Sequence, residues 1–166
     1  LTFLVILLTL TSNVAWSNYG FKDLRPDMTL DDYKRFCPQL SFCYGLTDIR
    51  FVPSTRKNSN GKRVLTLLTL DMGPITTDTD TYQKMKNNFD SKYPLNYAFS
   101  QRDTELFEQN EKNDLLVIYS DGQVSLRISR KKRDDSYKED LWLYIEYRNV
   151  EDGAFFLKRN KPANAS

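Results

Sequence analysis

Along LWLYIEYR, apolar and polar positions alternate with a period of two. Leu141, Leu143, Ile145 and Tyr147 fall on one side of an extended chain, and Trp142, Tyr144, Glu146 and Arg148 on the other. The first side is wholly apolar, whereas the second is aromatic at one end and charged at the other. Such a strand belongs to a sheet that is curved around something, or packed on a helix on one side and partly wet on the other. Further runs of Val, Ile, Leu and aromatic residues are punctuated by Asn60-Gly61, Asp121-Gly122 and Asp152-Gly153. These dipeptides accept the positive backbone angles of tight hairpins. Together they predict six strands, near 48–53, 63–71, 114–119, 123–130, 140–148 and 153–159.

Helical spacing shows in two places. Across 28–40, Thr29 stands as a cap with Asp32 three residues on, Leu30, Tyr33 and Phe36 recur on one side, and Pro38 closes the segment. Across 79–92, Tyr82, Met85 and Phe89 line up. For 95–110 the spacing leaves a hairpin or a continued helix open, and a strand pair is the expectation. The predicted class is therefore α+β: a curved, mainly antiparallel sheet of about six strands with one or two N-terminal or flanking helices.

The N-terminal LTFLVILLTL is apolar and uncharged, then yields to Thr11, Ser12 and Asn13. It is too short to span a bilayer, which takes about 20 apolar residues. With the small-x-small pattern Ala15-Trp16-Ser17 it reads as a secretory signal peptide over 1–17 whose basic leader is not included. Residues 18–166 then form a single globular α+β domain of 149 residues, enough to bury about 68–70% of the unfolded surface. Export changes the reading of the two cysteines, Cys37 and Cys43: in an oxidising compartment they are expected to be bridged. Closing so short a loop contributes about 2 kcal/mol, so the bridge pins a turn without creating the fold.

Charge adds little at the level of the whole chain, with 24 basic against 22 acidic residues. That balance speaks against a nucleic-acid partner, which usually calls for a basic face. One local run stands out, Arg130, Lys131, Lys132 and Arg133, followed at once by Asp134 and Asp135. It fits a solvated loop, and also a convertase processing site or a patch for polyanions. Chemistry is bounded by an absence, because the chain has no histidine. Imidazole bases, Ser-His-Asp and Cys-His nucleophile systems and most catalytic zinc sites are thereby excluded. Carboxylate pairs remain, Asp103 with Glu105 or Glu139 with Asp140, as does a calcium trio of Asp71, Asp78 and Asp80 that lacks the Gly and closing Glu of a calcium loop. No catalytic residue, metal or cofactor is assigned. The aromatic load of ten Tyr, ten Phe and two Trp suits a core or an apolar pocket, and Trp142 with Tyr144 are the candidate ligand-binding residues.

The order helix, Cys-containing turn and long hairpins closing on LWLYIEYRNVEDGAFFLKR resembles the small exported proteins of the nuclear transport factor 2-like group. The resemblance covers at most residues 28–160 and is architectural. It implies helices packed on a curved sheet around a cavity, and it transfers no catalytic residue. A lipocalin-like carrier is the rival, without the Gly-x-Trp expected near the start of such a barrel. The expected function is that of a secreted, non-catalytic binding protein. It would take a small apolar ligand or an extracellular protein on an apolar and aromatic sheet face, without stable membrane insertion. A carboxylate-dependent secreted enzyme is the alternative. If the basic run is only a solubilising loop, replacing Lys131 and Lys132 with Gln leaves the secreted mass and heparin-column elution unchanged. A changed mass would instead show processing, and earlier elution would show polyanion binding.

Overall fold

The computed structural model describes residues 19–75, 79–132 and 139–161. The expected signal peptide, Asp78 and Arg133 lie outside these residues. Helix α1, Leu30–Phe36, begins where the Thr29 hydroxyl accepts the Asp32 amide at 3.1 Å and donates to the Asp32 carboxylate at 2.8 Å. This reciprocal cap satisfies an amide that the helix start leaves without a partner. Tyr33 on its inner side is fully buried and donates from its hydroxyl to the Leu40 carbonyl at 2.6 Å, while burial raises its pKa to about 12. Cys37 and Cys43 are joined, as expected, and both are buried, with Cys43 Sγ 3.5 Å from that hydroxyl.

Strands β1, Arg50–Lys57, and β2, Arg63–Ile75, meet in the turn at Asn60-Gly61. Gly61 takes φ +73°, and the Asn58 side chain accepts the amides of Asn60 and Lys62, both at 3.0 Å. The pairing of Ser54 with Leu67 and Thr55 with Leu65 leaves Thr66 as an extra residue. That bulge shifts the two-residue period, so Leu65 shares the core face with Leu68 and Leu70.

Helix α2, Thr79–Lys92, carries the chain across the sheet to the far edge, where β3, Leu95–Ala98, begins a meander. Next come α3, Gln101–Glu108, β4, Asp114–Tyr119, a single 3-10 turn at Ser120–Gly122, β5, Val124–Lys132, and β6, Glu139–Arg148. The last element is α4, Val150–Asn160. All neighbours in the order β1-β2-β6-β5-β4-β3 are antiparallel, and the sheet is open, with β1 and β3 at its edges. The α+β class with six strands is thus observed, but with four helices among the described residues.

Two segments differ from expectation. Residues 95–110 form a strand followed by a helix, because Ser100 and Asp103 make a capping box that starts α3. The segment 153–159 is not a strand, and Asp152-Gly153 is not a hairpin turn. Both lie in α4, which Asn149 caps by accepting the Asp152 amide at 2.8 Å. Acidic Glu151 and Asp152 in the first turn and basic Lys158 and Arg159 in the last complement the helix dipole. Glycine is needed at 153 for close approach, since a Cβ there would lie 2.9–3.0 Å from Gln123 and Gly122. The reverse contact is tighter, with a Cβ on Gly122 falling 1.9 Å from the Gly153 carbonyl oxygen. The two backbones therefore touch, and α4 is seated against the β4–β5 turn.

One face of the sheet is the core. Phe51, Leu68, Leu70, Val117, Tyr119, Val124, Leu126, Leu143, Ile145 and Tyr147 meet Tyr33 of α1, Tyr82 and Phe89 of α2, and Phe107 of α3. The expected apolar side of β6 is thereby filled with protein. The opposite, outer face carries α4 over only one end, and the site lies there.

Replacing Gly153 with Val is expected to unseat α4 and cost about 1–3 kcal/mol through overpacking. Ala154→Val on the exposed side of the same helix should cost less than 1 kcal/mol. Urea denaturation of both variants provides the check, and equal losses would contradict the close-approach role.

Candidate functional site

Strands β5 and β6 lie side by side, and their register sets directly opposed pairs on the outer face: Ser125 with Glu146, Arg127 with Tyr144, Ser129 with Trp142 and Lys131 with Asp140. The alternation that buries Val124, Leu126 and Ile128 on the core side thus delivers a polar row on the other. Glu146 is the centre of this row. Its Oε1 accepts from Arg127 Nη2 at 2.9 Å, and its Oε2 accepts from Arg148 Nη2 at 2.5 Å and from Ser125 Oγ at 2.9 Å. Arg148 also donates to Ser125 Oγ at 2.9 Å, and its guanidinium lies 3.5 Å from the Phe156 ring centroid on α4. Both Glu146 and Arg148 retain only 7% of their side-chain exposure.

Burial by itself would raise the Glu146 pKa, but the charges of Arg148 and Arg127 and their hydrogen bonds outweigh it and hold the carboxyl below its usual range. The network continues through Arg127, whose Nη1 donates to Ser129 Oγ at 2.9 Å and lies 3.7 Å from Asp114 Oδ1. Ser129 in turn donates to Asp114. Where α4 overhangs this network, a cavity of about 410 Å³ remains. Tyr97, Leu116 and Phe156 provide its apolar walls. Its polar lining comes from Lys112, Asp114, Arg127, Glu146, Arg148 and Asn160. Two other concavities of about 460 Å³, one beside α1 and one at the disulfide loop, are lined by exposed or half-buried residues and contain no buried ion.

Trp142 and Tyr144, the expected ligand residues, occupy the same outer face but do not line that cavity. They form an adjoining aromatic strip in which Lys131 Nζ lies 4.5 Å from the Trp142 ring and 5.0 Å from the Tyr144 ring. Arg127 covers Tyr144 from the cavity side at 4.5 Å. The Tyr144 hydroxyl is buried with no hydrogen-bond partner among the described residues. A β2 bulge at Met72-Gly73, with Gly73 at φ +77°, lies opposite this strip.

The basic run is not one loop. Arg130, Lys131 and Lys132 belong to β5, paired with Leu141, Asp140 and Glu139. Alternation separates the first two. Arg130 points to the core side, donates to the Phe107 carbonyl at 2.6 Å and stacks 4.6 Å from that ring, which secures the C-terminal end of α3. Lys131 belongs to the aromatic strip. Asp103, one of the candidate carboxylates, caps α3 and pairs with Lys112. Its pKa is pushed up by burial, but hydrogen bonds from Lys112 and Ser100 prevail and bring it to about 2. Its partner Glu105 lies 3.9 Å from Arg102 on the same helix. Asp71 accepts the Gly73 amide at 3.0 Å, and no metal-holding group of three or more His, Cys, Asp or Glu occurs among the described residues.

Arg127, Glu146, Arg148 and Asp114 are functional candidates that reading the chain did not single out. For Arg127, Glu146 and Arg148 the signal is the alternation of polar with apolar positions in β5 and β6, whereas Asp114 is the first residue of β4 and carries no such signal. No protein-family model matches the chain, and neither a curated protein nor a solved structure proves similar to it.

Glu146→Gln would leave two guanidiniums around a neutral amide, a loss of about 3–5 kcal/mol at pH 7 for a broken buried pair. Because the folded-state pKa is lowered, the carboxylate's contribution is full above the unfolded value, about 4.3, and falls away as pH drops through the folded one. Urea titrations should therefore show a large gap between wild type and variant at pH 7 and a smaller one at pH 3. A gap independent of pH would contradict the ionic role.

Proposed function

We propose that the protein is an exported, non-catalytic binding protein that takes a small ligand in the cavity between the outer face of β4–β6 and α4. Export is supported by the buried Cys37–Cys43 bridge, which suits an oxidising compartment. No helix among the described residues is long and apolar enough to cross a membrane. The observation that carries the binding reading is the state of Glu146. A pocket with a few fixed polar groups and apolar walls is what a small-molecule site needs. Catalysis by paired carboxylates needs in addition one carboxyl kept protonated by a raised pKa.

The enzyme alternative rests on a specific feature, two carboxylates in one cavity, Glu146 and Asp114, on either side of Arg127. Glu146 is unsuited to the acid role because its pKa is lowered and both its oxygens are engaged. The nuclear transport factor 2-like resemblance is likewise a proposal: α1, α2 and α3 over one face of an open antiparallel sheet support it, while α4 lies on the other face. A lipocalin-like carrier has less support, since the six strands do not close into a barrel.

The test is a ligand-observed NMR screen of a fragment library against protein secreted from a eukaryotic host. Fragments that bind are expected to lose at least tenfold in affinity on Phe156→Ala or Arg127→Met and to be unaffected by Phe42→Ser at the disulfide loop. Binding lost only with Phe42→Ser would move the site, and fragments converted to product would establish an enzyme.

A further inference from the structure

Given the binding reading above, the charge inventory of the cavity narrows the ligand. Every cation that lines it already faces a carboxylate: Lys112 faces Asp103, Arg148 faces Glu146, and Arg127 lies between Glu146 and Asp114. A ligand of net charge would add an uncompensated ion to a partly desolvated site, which is costly for either sign. The lining still has unused hydrogen-bonding capacity at two points of opposite charge. Lys112 spends one ammonium proton on Asp103 and keeps 36% side-chain exposure. Asp114 accepts from Ser129 and faces Arg127 through Oδ1, while its Oδ2 has no partner among the described residues and the side chain is 47% exposed.

These two residues are two positions apart at the entry to β4, so their Cα atoms are at most about 7 Å from each other. A molecule that carries an ammonium and a carboxylate on the same carbon bridges such a pair. Beside them, Leu116 and Phe156 offer an apolar wall, and the Asn160 side chain donates only to the Phe156 carbonyl at 2.8 Å, leaving its Oδ1 as an acceptor. We propose that the cavity binds a small zwitterion with an apolar side group, of the amino-acid class. Its carboxylate meets Lys112, its ammonium meets Asp114, and its side group packs on Phe156 and Leu116. The Arg127–Glu146–Arg148 triad, with Glu146 and Arg148 buried and Arg127 half-buried, fixes the floor and does not itself change partners.

Isothermal titration calorimetry on the full secreted chain tests this with three probes that share one ring: phenylalanine, 3-phenylpropanoate and 2-phenylethylammonium. Phenylalanine is expected to bind at least tenfold more tightly than either singly charged probe. Asp114→Asn should weaken phenylalanine about tenfold while strengthening 3-phenylpropanoate, and Lys112→Met should strengthen 2-phenylethylammonium. A variant that had merely lost its fold would weaken all three, so the opposite signs are diagnostic. The assignment is overturned if 3-phenylpropanoate or 2-phenylethylammonium binds wild type as tightly as phenylalanine does, or if none of the three binds. If none binds while library fragments still compete at Phe156, the cavity stands as a site and only its dipolar selectivity falls. If those fragments fail as well, both readings fall.

Discussion

Glu146 is buried on the outer face of the sheet, and a carboxylate in that position is tolerable only when paired. Two arginines and a serine engage both its oxygens. The consequences spread outward from this constraint. Arg148, held by Glu146 and Ser125, presents its guanidinium to Phe156, and α4 is seated by that contact at one point and by the Gly122–Gly153 backbone contact at another. Arg127, held on its other side, leads to Asp114 and, across the strand pair, to Tyr144. The outer face is thus organised by ions, as the inner one is by apolar burial, and β6 serves both.

On the proposed binding reading, this arrangement separates stability from recognition. The fully engaged triad gives a fixed floor, while the groups with capacity to spare, Lys112 and Asp114, stand at the rim. Preorganised groups lose little freedom when a ligand arrives, which favours binding. A carboxyl that serves as a general acid needs a proton to give, and the surroundings of Glu146 withhold one.

Much of the sheet was legible in the chain because its signals are local. Gly61 and Gly122 adopt positive φ in the turns that Asn60-Gly61 and Asp121-Gly122 suggested, at +73° and +84°. The alternation in β6 gave both faces correctly, and Thr29 and Asp32 cap α1 as their spacing implied. Asp152-Gly153 misled because the same dipeptide met a different need. Gly153 has no positive φ and serves a close approach between segments about 30 residues apart in sequence. Asn149, the acidic start and the basic end of α4 were a helix signal already present, as were Ser100 and Asp103 for α3. The site was harder to read. Charge at one end of β6 looked like a wetted edge, and only the return of α4 over it turns that edge into a buried network beside a cavity. Trp142 and Tyr144 lie on the same outer face, next to that cavity and not in it.

Glu146 is held in place as an ionised structural anchor by Arg127, Arg148 and Ser125. Carbon-13 NMR of the Glu146 side-chain carboxyl, titrated in the intact folded protein, tests this role most directly. A midpoint below the ordinary glutamate value of about 4.3 is expected. A midpoint near 6, where a carboxyl serves as a general acid, would contradict it.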